Sequence, residues 1–291
     1  MTTITLTIAG SDSAGGAGIQ ADLRTFGALG VYGASAITAL TAQNTLGVEA
    51  VHTAPPEFVL AELRAIASDL DVGAIKTGML GNLEIVEAVV EGLSYFPGVP
   101  VVVDPVMVSQ SGHPLLTDEA IDAIRTKLMP LAVLVTPNLL EAARLLDEPV
   151  ARDEAEMAAQ AQRLRAQGAS AALVKGGHAT GPLAIDILAD AEGTMRLEAP
   201  RTQTLNTHGT GCTLSAATAA ELAKGVTLRE ALAKAKAYVT AAIAAADEPK
   251  IGKGRGPSTT STLGGRGRLI LRHDLDPLLA EARDGEAKLV A

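Results

Sequence analysis

The sequence predicts an α/β protein with a central, mostly parallel sheet between helical layers, and three observations carry that expectation. Runs rich in Val, Ile and Thr alternate with Ala-, Leu- and Glu-rich segments of helical length, the pattern of strands joined by crossover helices. The strand-like runs are short and apolar, as buried strands are. Each ends near Gly, Pro or a polar residue, so polar strand ends gather at one edge of the sheet.

Strands are expected at Ile4 to Ala9, Ala36 to Leu40, Val72 to Lys76, Val101 to Asp104, Val133 to Thr136 and Ala171 to Lys175. Helices are expected at Gly18 to Leu29, Pro56 to Leu70, Leu83 to Leu93, Asp118 to Leu128, Glu154 to Gln167, Cys212 to Lys224 and Leu228 to Ala246. Thr227 and Glu230 stand at capping-box spacing ahead of the last of these. Leu183 to Leu188 and Thr194 to Leu197 read as an antiparallel hairpin, which makes the sheet mixed at one edge. There is no internal repeat, and the Gly, Arg, Ser and Thr-rich run from Gly252 to Arg268 reads as a loop or tail.

With 291 residues, 47% of them hydrophobic and 20% charged, the chain can bury a large core. Its net charge of -9 gives no reason to expect a nucleic-acid partner. No window is long and apolar enough to span a bilayer, and no basic region precedes the short apolar stretch at the start, so a soluble cytoplasmic protein is expected. The single cysteine, Cys212, excludes an internal disulfide and a Cys-based structural zinc site.

Gly10-Ser11-Asp12-Ser13-Ala14-Gly15-Gly16-Ala17-Gly18 follows a strand and opens a helix, where free amides and the helix dipole favour anions or polar ligands. Gly16 to Ala21 imitates a dinucleotide fingerprint, but Ile37 to Asn44 lacks the acidic residue that such a site needs. The alternative is a plain strand-to-helix turn; Asp22, one turn into the helix, favours a ligand. No P-loop occurs, and Asn206-Thr207-His208-Gly209-Thr210-Gly211-Cys212 offers a second device. There Gly209, Thr210 and Gly211 can direct amides into an anion hole at a helix start, whose dipole should depress the pKa of Cys212. The other reading of Cys212 is a small buried hydrophobe.

Three further strand ends carry polar groups. Asp104 precedes the polar loop Val108 to His113 and suits a hydrated Mg2+. Asn138 and Glu141 share one helical face, with Asn138 equally readable as a helix cap. Lys175, ahead of Gly176-Gly177-His178, suits a polyphosphate or simply water. His208 reads as structural in its turn, and no metal-binding His cluster is present.

Taken in order, the segments Ala9 to Asp22, Ala42 to Thr45, Lys76 to Leu80, Asp104 to Met107 and Asn206 to Cys212 resemble the bacterial hydroxymethylpyrimidine/phosphomethylpyrimidine kinases of thiamine biosynthesis. The resemblance covers residues 1 to about 257, which gives a kinase domain 1–257 and an extension 258–291 of unread purpose, with a short strand and a helix suggested by Leu269 to Leu271 and Leu278 to Ala282. It implies a ribokinase-like three-layer α/β/α sandwich, a homodimer, and two successive phosphorylations dependent on ATP and Mg2+. The first takes the hydroxymethyl group of 4-amino-5-hydroxymethyl-2-methylpyrimidine, the second its monophosphate.

The same resemblance assigns roles. Gln43 reads the aminopyrimidine, with Gly10, Asp22, Met79 and Val106 completing that pocket. Cys212 stands where most of the wider superfamily has an Asp base, a substitution the pyrimidine-kinase branch shares; since a thiolate of depressed pKa can accept a proton, Cys212 is expected to act as a base and not a nucleophile. Asp104 and Glu141 organise Mg2+ through water, Asn138 and Lys175 lie near the phosphates, and Gly209 to Gly211 stabilise the transferred group. The family's aromatic and His residues after Gly-x-Gly-Pro are absent here, where Gly254-Arg255-Gly256-Pro257 runs into Ser258-Thr259-Thr260-Ser261. The rival readings are a pyridoxal or pyridoxine kinase, a thiol hydrolase pairing His208 with Cys212, and a non-catalytic pyrimidine-binding module.

Overall fold

The computed structural model describes residues 2–109, 112–177, 181–246, 251–254 and 256–258. Nine strands form one sheet: β1 (Ile4–Asp12), β2 (Tyr32–Asn44), β3 (Gly47–Thr53), β4 (Val72–Thr77), β5 (Val101–Val103), β6 (Leu134–Val135), β7 (Ala172–Lys175), β8 (Leu183–Asp190) and β9 (Gly193–Pro200). The helices are α1 (Gly18–Ala28), α2 (Pro56–Ala67), α3 (Leu83–Leu93), α4 (Asp118–Ala123), α5 (Leu139–Leu146), α6 (Glu154–Ala166), α7 (Thr210–Ala223) and α8 (Leu228–Ala244).

The strand order is β3-β2-β1-β4-β5-β6-β7-β8-β9. From β2 across to β7 every pairing is parallel, and the expected hairpin β8–β9 adds two antiparallel strands at one edge. The other edge is antiparallel as well, because β3 folds back on β2. Gly47 to Thr53 gives no apolar run in the sequence, since it is a half-exposed edge strand.

Alternation within the strands divides the core in two. Ile75, Val101, Val103, Ala172 and Val174 pack under α2 to α6, whereas Ala74, Val102 and Leu173 pack under α7 and α8. Phe26 of α1 meets Ala216 and Ala220 of α7 on that second face. The result is a three-layer sandwich, with β-strand period two serving both faces at once.

Most helix starts are capped by side chains. Asn82, Thr117 and Asp153 each accept an amide of the first turn of α3, α4 and α6. Thr227 likewise accepts from the Glu230 amide, but the complete capping box is at Asn138 and Glu141. The expected helix 118–128 is α-helical only to Ala123, continues as a π turn over Ile124–Leu128, and ends in a 3-10 turn holding Pro130, which has no amide to continue the ladder. By contrast, α1 and α7 have no side-chain cap, and these two starts meet at the carboxyl edge of the sheet.

Candidate active site

The carboxyl ends of the parallel strands open into one cavity of about 600 Å3. Gly10, Thr41, Gln43, Met79 and Val106 line its β1–β2 end, and Asp104, Asn138, Glu141 and Lys175 line the middle. Gly209, Thr210, Gly211 and Cys212 enter from the start of α7, and Asp186, Lys236, Val239 and Ile243 form the far end. Every site residue expected from the sequence lines this cavity except Asp22.

Asp22 is wholly buried beneath the cavity. Its Oδ2 accepts from Thr7 Oγ1 at 2.6 Å and from Lys76 Nζ at 2.8 Å. Asp22 is not among the residues that line the cavity; its helical position pairs a buried lysine, and its Oδ1 has no hydrogen-bond partner. Lys76 itself lines the cavity and is held protonated: burial alone would lower its pKa, but Asp22, Cys212 and Asp104 beside it raise it.

The glycine-rich loop is organised around Asp12. Its Oδ2 accepts from the amides of Gly16 and Ala17 at 3.0 and 2.8 Å, and its Oδ1 from that of Ala14 at 2.9 Å. Burial opposes the charge, but His208 and these amides outweigh it and hold the Asp12 carboxyl below the usual range. The loop thus receives its own internal anion.

Gly209, the residue before α7, has φ of +77°. A Cβ there would lie 2.0 Å from the Gly16 carbonyl oxygen, so only glycine lets the two loops touch. The contact brings the free amides of both helix starts to one spot. Cys212 sits there, its sulfur receiving the Gly18 amide.

The expected depression of the Cys212 pKa does not occur. Burial pushes the thiol up to about 11; Lys76 pulls the other way, while the carboxylates of Asp22 and Asp104 push it higher. Cys212 is therefore a neutral thiol in the free protein at neutral pH.

Asp104 Oδ1 accepts from Lys175 Nζ at 2.9 Å and Thr136 Oγ1 at 3.2 Å, and its Oδ2 accepts from Ser215 Oγ at 3.2 Å. Burial would raise its pKa, but Lys175 and Lys76 prevail and keep it ionised. Burial pushes Glu141 up to about 7 against the pull of Lys175. Asn138 Oδ1 is spent on the amides of Leu140 and Glu141, so its Nδ2 donors are the part left for an anion. Among the described residues no group of three His, Cys, Asp or Glu side chains could hold a metal. Two carboxylates do suit Mg2+, which keeps several waters and leans on substrate phosphates.

Sequence reasoning gave no role to Asp12, Lys76, Asp186 or Lys236, and set His208 aside as structural. Lys76 interrupts an apolar strand, and that was its signal. Asp186 and Lys236 pair at 2.7 Å, Lys236 also binding the Ala184 carbonyl, which places a fixed cation at the far end of the cavity. The His208 ring turns to Asp12 and Gln43, away from the role of a thiol-activating base. His178 and the segments at 269–271 and 278–282 lie outside the described residues.

Comparison with known proteins agrees with this arrangement. The family described as Phosphomethylpyrimidine kinase matches residues 12–259. A hydroxymethylpyrimidine/phosphomethylpyrimidine kinase of Rhizobium meliloti is 58% identical over 257 residues, covering 88% of this chain and 96% of that one. Among solved structures, a Bacillus subtilis pyridoxal kinase in complex with ADP superposes with a TM-score of 0.83 at 38% identity, over 90% of this chain and 99% of that one. A phosphomethylpyrimidine kinase from Clostridium difficile gives 0.74 at 40% identity, over 83% and 100%. On the match over residues 12–259 and a relative 58% identical along 88% of the chain, this chain belongs to the phosphomethylpyrimidine kinase family.

Proposed function

We infer that this chain transfers the γ-phosphoryl group of ATP first to the hydroxymethyl group of 4-amino-5-hydroxymethyl-2-methylpyrimidine and then to the resulting monophosphate, in thiamine biosynthesis. The observation that carries this reading is the cavity that holds both Gln43 at its β1–β2 end and the anion hole of Gly209, Thr210 and Gly211 at the start of α7. Gln43 supplies both a donor and an acceptor, as an aminopyrimidine edge requires. Gly10, Met79 and Val106 flank it as the walls of that pocket.

In the first transfer, the hydroxymethyl oxygen forms a bond to the γ-phosphorus as the bond to the β-phosphate oxygen breaks. The hydroxyl proton passes to the ionised sulfur of Cys212. The α7 amides and Lys175 stabilise charge on the transferred group, and Asn138 and Lys236 face the polyphosphate. Mg2+ supplies charge neutralisation when bound, and Asp104 and Glu141 would hold it through water.

The kinase unit is read as residues 1–257, with 258–291 an extension. A homodimer is the proposed state.

The test is ADP release with hydroxymethylpyrimidine, its monophosphate and pyridoxal as acceptors. Turnover of both pyrimidines is expected. The likeness to pyridoxal kinases supports a second reading, and turnover of pyridoxal alone would establish it in place of the first.

A further inference from the structure

His208 stands immediately before the anion hole, yet its ring faces the other end of the cavity. Its Nε2 lies 3.0 Å from Asp12 Oδ2 and 3.2 Å from the Gln43 carboxamide atom placed as Nε2. The ring fills the space over the glycine loop, where a Cβ on Gly16 would lie 2.4 Å from its Cδ2. Its own backbone is fixed on both sides, because the His208 amide donates to the Gly256 carbonyl and its carbonyl accepts from the Ser258 amide.

A carboxylate only accepts hydrogen bonds, so the contact with Asp12 requires a proton on His208 Nε2. That nitrogen then has no lone pair to offer Gln43. An N–H of Gln43 pointed at it would set two donors face to face, so the carboxamide is turned over from the placement above, its oxygen sharing the one Nε2 proton with Asp12 Oδ2.

The other end of Gln43 leads independently to the same orientation. Thr41 Oγ1 lies 3.2 Å from the carboxamide atom placed as Oε1 and 2.9 Å from the Ser11 carbonyl. A hydroxyl has one proton, and the carbonyl, which can only accept, takes it. Thr41 Oγ1 is therefore an acceptor toward Gln43, which must present its Nε2 there.

We propose that the Asp12–His208 pair is a specificity-determining device that locks Gln43 with its oxygen toward His208 and its nitrogen toward Thr41, and so fixes the order of acceptor and donor offered to the substrate's edge. One Nε2 proton and one Oε1 lone pair remain free for the ligand. A ring nitrogen beside an exocyclic amine matches that order in one orientation only. An acceptor lacking this paired edge, such as a pyridine carrying a phenol, does not match it. His208 acts through Gln43 and is a positioning residue.

The inference rests on Gln43 reading the pyrimidine, so its test has an arm that needs no turnover. In the wild-type chain labelled with 15N-histidine, long-range 1H–15N spectra report which ring nitrogen carries a proton, with His208→Gln identifying the signal. Protonated Nε2 is expected, and an unprotonated Nε2 would overturn the lock. In kinetics, His208→Phe is expected to raise KM for the hydroxymethylpyrimidine about tenfold, with a much smaller change in kcat and in KM for ATP. The ratio of pyridoxal to pyrimidine kcat/KM should rise by a similar factor.

His208→Gln retains an N–H for Asp12 and should recover most of the KM, which keeps the test open if the Phe variant folds poorly. A loss confined to kcat, undiminished discrimination in His208→Phe, or a His208→Gln variant that discriminates no better than His208→Phe would overturn the proposal. Wild-type turnover of neither pyrimidine would instead defeat the functional reading, and the spectrum would still decide the tautomer.

Discussion

Replacing Cys212 by Ser or Ala should slow phosphorylation of the hydroxymethyl group by about 10²–10⁴-fold, the usual worth of a general base, while the second phosphorylation loses only about threefold. The two acceptors differ in what they need. An alcohol gives up a proton as it attacks. A phosphate monoester, with a second pKa of about 6, is already a dianion at pH 8 and needs no base. The other acidic groups of the cavity are engaged: Asp12 by the loop amides and His208, Asp104 by Lys175, Thr136 and Ser215, Glu141 by the Asn138 amide, and Asp186 by Lys236 and the Gly176 amide.

The pH dependence follows with its sign. Because the Cys212 thiol is pushed up to about 11, its ionised fraction in the free protein rises with pH throughout the neutral range. At that pKa about one sulfur in a thousand is ionised at pH 8, and each further unit raises the fraction tenfold. The kcat/KM of the first step should climb from pH 7 to 9, and that of the second should level off above the phosphate pKa. Parallel profiles measured with the two acceptors, or equal losses in Cys212→Ala, would show that Cys212 is no base.

Lys76→Met should destabilise the fold by about 3–5 kcal/mol, the usual cost of leaving one buried charge without its partner. Both side chains of the Lys76–Asp22 pair are fully shielded from solvent. For a domain of this size the loss corresponds to a fall in Tm of about 10 °C. The Lys76→Met/Asp22→Leu double variant, which removes both charges, should recover at least half of it. Since the Lys76 pKa is raised above 10.5, its contribution holds through the neutral range and fades only as pH rises through that raised value. A single variant with unchanged Tm, read by calorimetry at pH 7.5, would contradict the account.

Periodicity and punctuation made the sheet and most helices legible, because buried parallel strands are short apolar runs and their helices repeat between them. The edge strand Gly47–Thr53 escaped because none of its residues is buried and no apolar run marks it. At the site, backbone devices were easier to read than side-chain pairings. Gly209-Thr210-Gly211 announces free amides wherever it precedes a helix, and the structure puts those amides in the cavity. The pairing of Asp22 with Lys76 escaped because the two are 54 residues apart in sequence, a distance over which no local pattern operates. Cys212 misled for a related reason: a helix start is a local feature, but burial and two carboxylates brought in from other strands and helices decide its pKa. His208 and Gln43, 165 residues apart, could be connected only once the fold was known.

The central claim is that one cavity performs both transfers, and a 31P NMR time course of this chain alone with hydroxymethylpyrimidine, ATP and Mg2+ tests it most directly. The account predicts a monophosphate signal that rises and then gives way to a diphosphate. A reaction that stops at the monophosphate, or never produces it, would contradict that claim.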